Sequence, residues 1–308
     1  MSDGPSPGRV GDGSPTTESH VIDITESRPG RVGALPVRRA LPRRGRRLVG
    51  AWCFIDHMGP APIEPPRGLD IAPHPHTGLQ TLTWLVEGEA LHRDSLGTQQ
   101  PIRPGELNLM TAGRGVAHSE EGTANYRGEL HGAQLWIAQP SATRDGPPAF
   151  EHHATLPQVD LVGAVATVLV GRLGDAVSPA RHDTDHVGVD LSLHGGDTTL
   201  ALRDDVEYAL IVLSGAARVD DHVVEPGHLA YLGLGRDEIR LTSRERSRAL
   251  LVGGVPFEEP VMMWWNYVAR TRQEILDAHQ SWMTDDGRFG RVDSTLARIE
   301  VPPPPWAG

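Results

Sequence analysis

From Val21 onward the chain alternates short apolar runs with glycine- and proline-marked turns, and no long amphipathic repeat occurs until close to the C-terminal end. The runs Leu48–Ile55, Gln80–Val86, Leu107–Thr111, Gln134–Ile137, Ala164–Val170, Val187–Leu193, Tyr208–Leu213, His228–Leu232 and Ala249–Val252 are predicted as strands, because β-branched and large apolar residues bounded by turn formers suit a pleated, partly buried surface. So many short strands imply a sandwich or a barrel. In Trp265–Met283, Val268, Ile275, Ala278 and Trp282 recur at spacings of three, four and seven, which predicts a helix packed on the β body. The polar, turn-rich segment Pro140–Pro148 (PSATRDGPP) is the expected linker. Residues 1–20 and the final VPPPPWAG offer little to bury and read as unpacked tails.

Two segments share one layout. Gln80–Gly88 (QTLTWLVEG) is followed by Pro104-Gly105, and Glu207–Gly215 (EYALIVLSG) by Pro226-Gly227; in each, a strand ends in Gly, a hairpin follows, and Pro-Gly opens the next strand. A chain of 308 residues could form one large domain or two ordinary ones, and this weak repeat favours two related barrels. The 35 glycines and 26 prolines argue against an all-helical protein. With 29 basic against 40 acidic residues the formal charge is −11, which disfavours charge-driven binding to nucleic acid or an anionic membrane. A single cysteine, Cys53, excludes an intramolecular disulfide and a multi-cysteine metal site, and fits a reducing compartment such as the cytoplasm. Residues 1–20 hold no apolar signal-like core, and no run approaches the roughly 20 residues of a membrane helix, so secretion and membrane insertion are not expected.

The chemistry concentrates in His74-Pro75-His76 and His118-Ser119-Glu120. In an extended strand, residues i and i+2 face the same side, so each pair can aim two ligands at one point. Three imidazoles and one carboxylate suit a divalent transition metal such as iron, manganese, nickel, copper or zinc, and leave two positions of a six-coordinate ion open. A lone H-x-H is more often a pair of hydrogen-bonded surface histidines. Here, however, the pairs lie 42 residues apart among glycine turns, with Gly78 and Gly88 near the first and Gly105, Gly113 and Gly115 before the second.

The order of H-x-H, Gly-terminated strand, Pro104-Gly105 and later histidine resembles the two motifs of the cupin superfamily. His74–Gly78 (HPHTG), Met110–Glu120 (MTAGRGVAHSE), Phe54–Pro60 (FIDHMGP) and Glu259–Asn266 (EPVMMWWN) together resemble the pirin family over roughly residues 28–290. The resemblance implies an all-β fold of two cupin-type barrels (a bicupin) with a C-terminal helix packed on them. The expected division is a disordered tail over 1–21, a metal-binding domain over 22–145, a C-terminal domain without metal over 146–292 and a tail over 293–308. It implies Fe(II), with other divalent metals as alternatives, held by His74, His76, His118 and Glu120, and a Gln134 that lines the metal cavity. The implied activity is that of a quercetin 2,3-dioxygenase, opening a flavonol with O₂, with Glu120 and Gln134 as catalytic residues and Glu120 accepting the phenolic proton. One departure is Gln80, where the family often carries Glu, so less negative charge is expected near the metal. Matching Gly215 to Gly88 and Gly227 to Gly105 places Ala201, Arg203 and Arg240 at the ligand positions of the second barrel, where no metal is expected. The alternative implied by the resemblance is an iron-dependent, redox-switched regulatory protein that binds a transcription factor or a metabolic enzyme. A monomer is expected.

Other candidates carry plainer readings. His182 and His186 sit in a polar lead-in to a strand and are expected to be no ligand pair, and His152-His153 should face opposite sides of a strand. Asp56-His57 is read as a turn stabiliser before a role near the metal. Arg38, Arg39, Arg43, Arg44, Arg46 and Arg47 read as a solvated strand edge before a partner contact. Trp264-Trp265 reads as interdomain core, and Cys53 as buried and inert.

Overall fold

The protein is described by a computed structural model over residues 22–63, 69–123 and 125–307; the tail expected over 1–21 lies outside the described residues. In chain order the strands are β1 (Asp23–Glu26), β2 (Arg28–Val32), β3 (Leu35–Leu41), β4 (Trp52–Ile63), β5 (Ile71–His76), β6 (Leu79–Glu87), β7 (Ala90–Asp94), β8 (Gln99–Ile102), β9 (Leu107–Thr111), β10 (Val116–Glu121), β11 (Gly128–Ala138) and β12 (Ala149–His153). They continue as β13 (Gln158–Leu161), β14 (Ala164–Val170), β15 (Arg172–Leu173), β16 (Ala176–Val177), β17 (His186–Leu193), β18 (Gly196–Ala201), β19 (Glu207–Ser214), β20 (Ala217–Val219), β21 (His222–Val224), β22 (His228–Gly233), β23 (Glu238–Ser243), β24 (Ser247–Gly254), β25 (Met262–Trp264) and β26 (Tyr267–Ala269). One helix follows, α1 (Arg272–Thr284), and no helix among the described residues is long and apolar enough to cross a membrane.

Two barrels of one plan result. The first pairs a seven-stranded sheet, β12-β9-β6-β11-β4-β3-β2, with a four-stranded sheet, β5-β10-β7-β8. The second pairs β1-β22-β19-β24-β17-β14-β13 with β18-β23-β20-β21. The repeated segments become β6 and β19, which hold the same slot in their sheets. Strands cross the division expected at residue 145. β1, from the N-terminal side, pairs with β22 of the second barrel, whereas β12, from the C-terminal side, pairs with β9 of the first.

The two large sheets pack against each other. Trp52, Leu82, Trp84, Leu109, Leu135 and Ile137 of the first barrel share one buried cluster with Leu169, Ile211, Leu213, Leu229, Leu250 and Val252 of the second. On β11, Ala133, Leu135 and Ile137 belong to this cluster, so Gln134 and Trp136 turn into the first barrel. Trp52 crosses furthest: its Nε1 donates to the Gly253 carbonyl at 3.1 Å, and a Cβ on Gly188 would stand 3.0 Å from its ring.

Three expectations change. The strand predicted from Leu48 begins at Trp52, because Gly50, at φ +52, reverses the chain and lets Val49 and Trp52 bond to each other at 3.0 and 2.9 Å. The helix predicted from Trp265 begins at Arg272, capped by Thr271, whose Oγ1 accepts from the Glu274 amide at 3.2 Å. The residues before it form the β25–β26 hairpin, turning at Trp265 with φ +52, and Val268 packs from a strand against the cluster around Cys53 and Leu79. The C-terminal segment, expected as an unpacked tail, is tied down. The Ile299 amide donates to the Pro73 carbonyl at 2.8 Å, Trp282 Nε1 donates to the Ile299 carbonyl at 2.7 Å, and His279 Nε2 lies 3.0 Å from the Val301 carbonyl. A proline-rich extended segment leaves its carbonyls free, and donors on α1 take them up.

Trp52→Ala should open a void in the shared cluster and orphan the Gly253 carbonyl. The expected loss is about 3–5 kcal/mol, read as a lower urea midpoint with an unchanged far-UV circular dichroism spectrum of the folded state.

Candidate metal centre

β5 and β10 are antiparallel neighbours, and their register sets His118 opposite His74 and Val116 opposite His76. The three imidazoles therefore share one face. Their ring centroids lie 4.4 to 5.0 Å apart, and one nitrogen from each falls within 4.8 Å of the others. His76 Nε2 and His118 Nε2 face each other at 3.1 Å. Burial disfavours the imidazolium, pushing His74 down to about 4 and His76 and His118 well below the ordinary value, with mutual repulsion among the rings as a further cause. His74 Nδ1 donates to the Ala72 carbonyl at 2.8 Å, which leaves its Nε2 lone pair free. A divalent transition metal fits this set: three neutral nitrogens converge, and at neutral pH no imidazolium has to lose a proton.

Glu120 lines the same cavity, but its carboxylate oxygens fall outside the group of three nitrogens. Thr83 stands between it and Gln134, with Oγ1 3.1 Å from Glu120 Oε1 and 2.9 Å from Gln134 Oε1. Burial raises the Glu120 carboxyl, opposed by His92 and the Thr83 hydroxyl. One hydroxyl proton cannot serve both contacts. Thr83 can donate to an ionised Glu120, or accept from a protonated Glu120 while donating to Gln134.

The cavity, about 410 Å³, has an aromatic wall where Phe54 and Trp136 stack at 4.0 Å and 14°. Arg39 lies 4.5 Å over Phe54 and grips the buried Asp56 with two bonds of 2.8 and 2.7 Å. Trp265 and Asn266 of the hairpin turn and Ile299 of the C-terminal segment also line it. Thr83 and Ile299 were not among the candidates, and Arg39 was considered only as part of the arginine run. Thr83 had a usable signal, its alternation with the apolar Leu82 and Trp84; Arg39 and Ile299 depend on long-range packing.

Several readings are corrected. Asp56-His57 sits mid-strand in β4, not in a turn: Asp56 faces the cavity, and His57 contacts His131 at 2.9 Å and Arg38 at 3.2 Å. Gln80 is not on the cavity lining; it is buried, with its Nε2 donating to Thr111 Oγ1 at 3.1 Å. Of the arginine run only Arg38 and Arg39 lie in a strand, and that strand is not an edge, since β3 lies between β2 and β4. Besides Arg38 and Arg39, Arg43 donates to the Glu26 carbonyl and Arg46 stacks 3.2 Å over Tyr231, which leaves Arg44 and Arg47 exposed. Trp264 packs with Tyr267, His279 and Trp306 around α1, and Trp265 reaches the cavity, so neither joins the cluster between the barrels.

The remaining candidates fall elsewhere. His182 and His186, with rings 6.3 Å apart, line a separate cavity of about 360 Å³ in the second barrel, where His186 Nδ1 meets Thr184 Oγ1 at 2.7 Å. Of the positions matched to ligands there, Ala201 ends β18, Arg203 is clamped by Asp185 and Asp205, and Arg240 pairs with Glu238. His152 meets Asn108 at 2.8 Å and His153 meets Glu151 at 3.1 Å. Cys53 is fully buried, and burial pushes its thiol up to about 12.

Two family models match the chain, one described as pirin over residues 34–137 and one as the pirin C-terminal cupin domain over residues 188–290. A Pseudomonas aeruginosa protein named "Putative quercetin 2,3-dioxygenase" is 45% identical over 295 residues, spanning 95% of this chain and 93% of its own length. A pirin-like protein of Caulobacter vibrioides is 36% identical over 270 residues, spanning 85% of this chain and 93% of that one. Among solved structures, that of a quercetin 2,3-dioxygenase from Acinetobacter baumannii matches with a TM-score of 0.89 at 43% identity, covering 91% of this chain and 95% of that chain.

The buried histidines give the chelator-treated protein a pH dependence. His57 and His186, pushed by burial down to about 3 and about 4, stay neutral in the folded state, whereas their unfolded counterparts take up protons near 6.5. Stability is therefore full above pH 6.5 and falls toward pH 4 as the unfolded state gains protons first. Asp56, Glu120 and Asp190, raised by burial, act in the opposite sense, against the lowered His57, His74, His76, His118 and His186. Urea midpoints should thus drop between pH 7.5 and 5.5; a flat or rising midpoint would contradict neutral buried histidines.

Proposed function

The chain belongs to the pirin family, and from that premise we propose that it is a metal-dependent dioxygenase that opens a flavonol-type aromatic at an Fe(II) site in the first barrel. The carrying observation is the convergence of three neutral imidazoles within 4.8 Å in a cavity whose wall is a pair of stacked aromatic rings. His74, His76 and His118 would hold the metal, with Glu120 as the fourth ligand. When bound, the metal supplies a Lewis acid that lowers the pKa of a phenolic hydroxyl, together with redox chemistry toward O₂.

The chain's own residues do the rest. The face of the Phe54–Trp136 stack suits a flat polyphenol, and the apolar wall keeps water from the reacting ring. Glu120, raised by burial, is placed to take the phenolic proton, and Thr83 can then reverse its bond and donate to Gln134, so the proton settles without leaving an orphaned group. Arg39, fixed by Asp56 on the cavity wall, offsets negative charge on the deprotonated substrate.

Anaerobically Fe(II)-loaded protein should consume O₂ in a saturable manner on addition of quercetin, and His76→Ala should lose both metal and uptake. Glu120→Gln should lower turnover by about 10²-fold or more. Full turnover with bound metal in that variant would remove the proton role from Glu120. No uptake by wild type shown to hold one iron would overturn the dioxygenase reading.

A further inference from the structure

The first barrel holds two buried groups that the reaction above does not use. β7 pairs with β10 on the side opposite β5, and its register places Asp94 across from His118 and His92 across from Glu120. His118 Nδ1, on the edge of the ring away from His76, lies 3.4 Å from His92 Nδ1. His92 Nε2 in turn lies 3.1 Å from Asp94 Oδ2. Asp94 Oδ1 accepts the amides of Leu96 and Thr98 at 2.9 and 3.0 Å, and the ring of Phe150 stacks on His92 at 4.5 Å and 24°. His92 and Asp94 are each only 2% exposed, so no bulk water competes for these bonds.

The order of donors along this chain follows from one end. A carboxylate only accepts, so the proton between His92 and Asp94 sits on His92 Nε2. The His92 tautomer that donates to Asp94 presents a bare Nδ1 to His118, so the His118 proton sits on Nδ1 and the His118 Nε2 lone pair is left toward His76 and His74. The opposite polarity would put the His118 proton on Nε2, where it blocks a metal. The other two rings are supported differently: His74 by the Ala72 carbonyl and His76 by the backbone of Asn266, neither of them backed by a carboxylate. We propose that His92 and Asp94 are positioning residues that fix the tautomer of His118 and set the metal affinity of the three-histidine site. This rests on the metal reading of that site. A ligand ring that donates to a carboxylate-backed acceptor is both oriented and made more basic, an outer support whose removal costs about 10–100-fold in metal affinity.

The test is cobalt(II) binding to the chelator-treated full chain, followed by visible absorption and by competition with a chelator. Asp94→Asn keeps an oxygen for the Leu96 and Thr98 amides but can turn its NH₂ to His92, reversing the chain; it should weaken cobalt binding about 10–100-fold. His92→Phe keeps the stack on Phe150 and removes the acceptor, with a similar loss, whereas His92→Gln, whose amide oxygen can accept from His118, should recover most of it. In the His92→Phe background, Asp94→Asn should add nothing, because Asp94 acts through His92. Wild-type affinity in the single variants, or losses that simply add in the double variant, would overturn the proposal and leave the metal site standing. Failure of the wild type to bind cobalt would remove both. Far-UV circular dichroism and melting of the metal-free variants identify any loss that comes from misfolding.

Discussion

β6 and β11 are kept from water on both faces, and this constraint organises the rest of the molecule. One face, carrying Leu82, Trp84, Leu135 and Ile137, is sealed by the second barrel; the other, carrying Thr83, Gln134 and Trp136, looks into the first. A slip of one residue would exchange the two sets, driving Thr83 and Gln134 into an apolar cluster and Leu82 and Leu135 into the cavity. The second barrel thus acts on the site from a distance, by making only one register of these strands tolerable. The crossing of β1 strengthens the same lock, since the large sheet of the second barrel is completed by chain that precedes the first barrel.

The cavity behind that face gathers polar groups that would be costly to bury singly. Each is made tolerable by a local device. The histidines are held neutral by desolvation, Asp56 is matched by the fork of Arg39, and Glu120 is raised by burial and held by Thr83. Asp94, beneath His118, is lowered on balance despite its burial, because His92 and the Thr98 amide bond to it. The imidazole cluster itself stays uncharged and ready to coordinate. The hairpin turn at Trp265 and the segment through Ile299 close the remaining side.

Much of this was legible one strand at a time. Leu107–Thr111 and Ala164–Val170 are strands over the same limits that their apolar runs predict, and β6 and β19 sit where the repeat aligns them. His74, His76 and His118 were selected by spacing alone, because a period of two is a backbone property that needs no knowledge of the partner strand. Gln134 was found through resemblance, and its inward direction follows from the same alternation. Asp56 and the arginines misled because charge and turn propensity are local signals, whereas Arg39 and Asp56 satisfy each other across adjacent strands. The helix boundary misled for a related reason: a spacing of seven from Val268 to Ile275 spans a strand, a cap and a helix as readily as two helical turns.

The sequence by itself determined most element types, the all-β architecture of two similar barrels and the three histidines that converge on one cavity, because these depend on side-chain alternation, turn residues and short spacings that act within a few positions. Only the tertiary structure decided which strands cross between barrels, that the C-terminal segment walls the cavity, that Glu120 answers to Thr83, and that His92 and Asp94 stand behind His118. Those outcomes rest on contacts between residues far apart in the chain. Their free energy comes from burying groups that must find partners out of water, and no local pattern records which partner will be found.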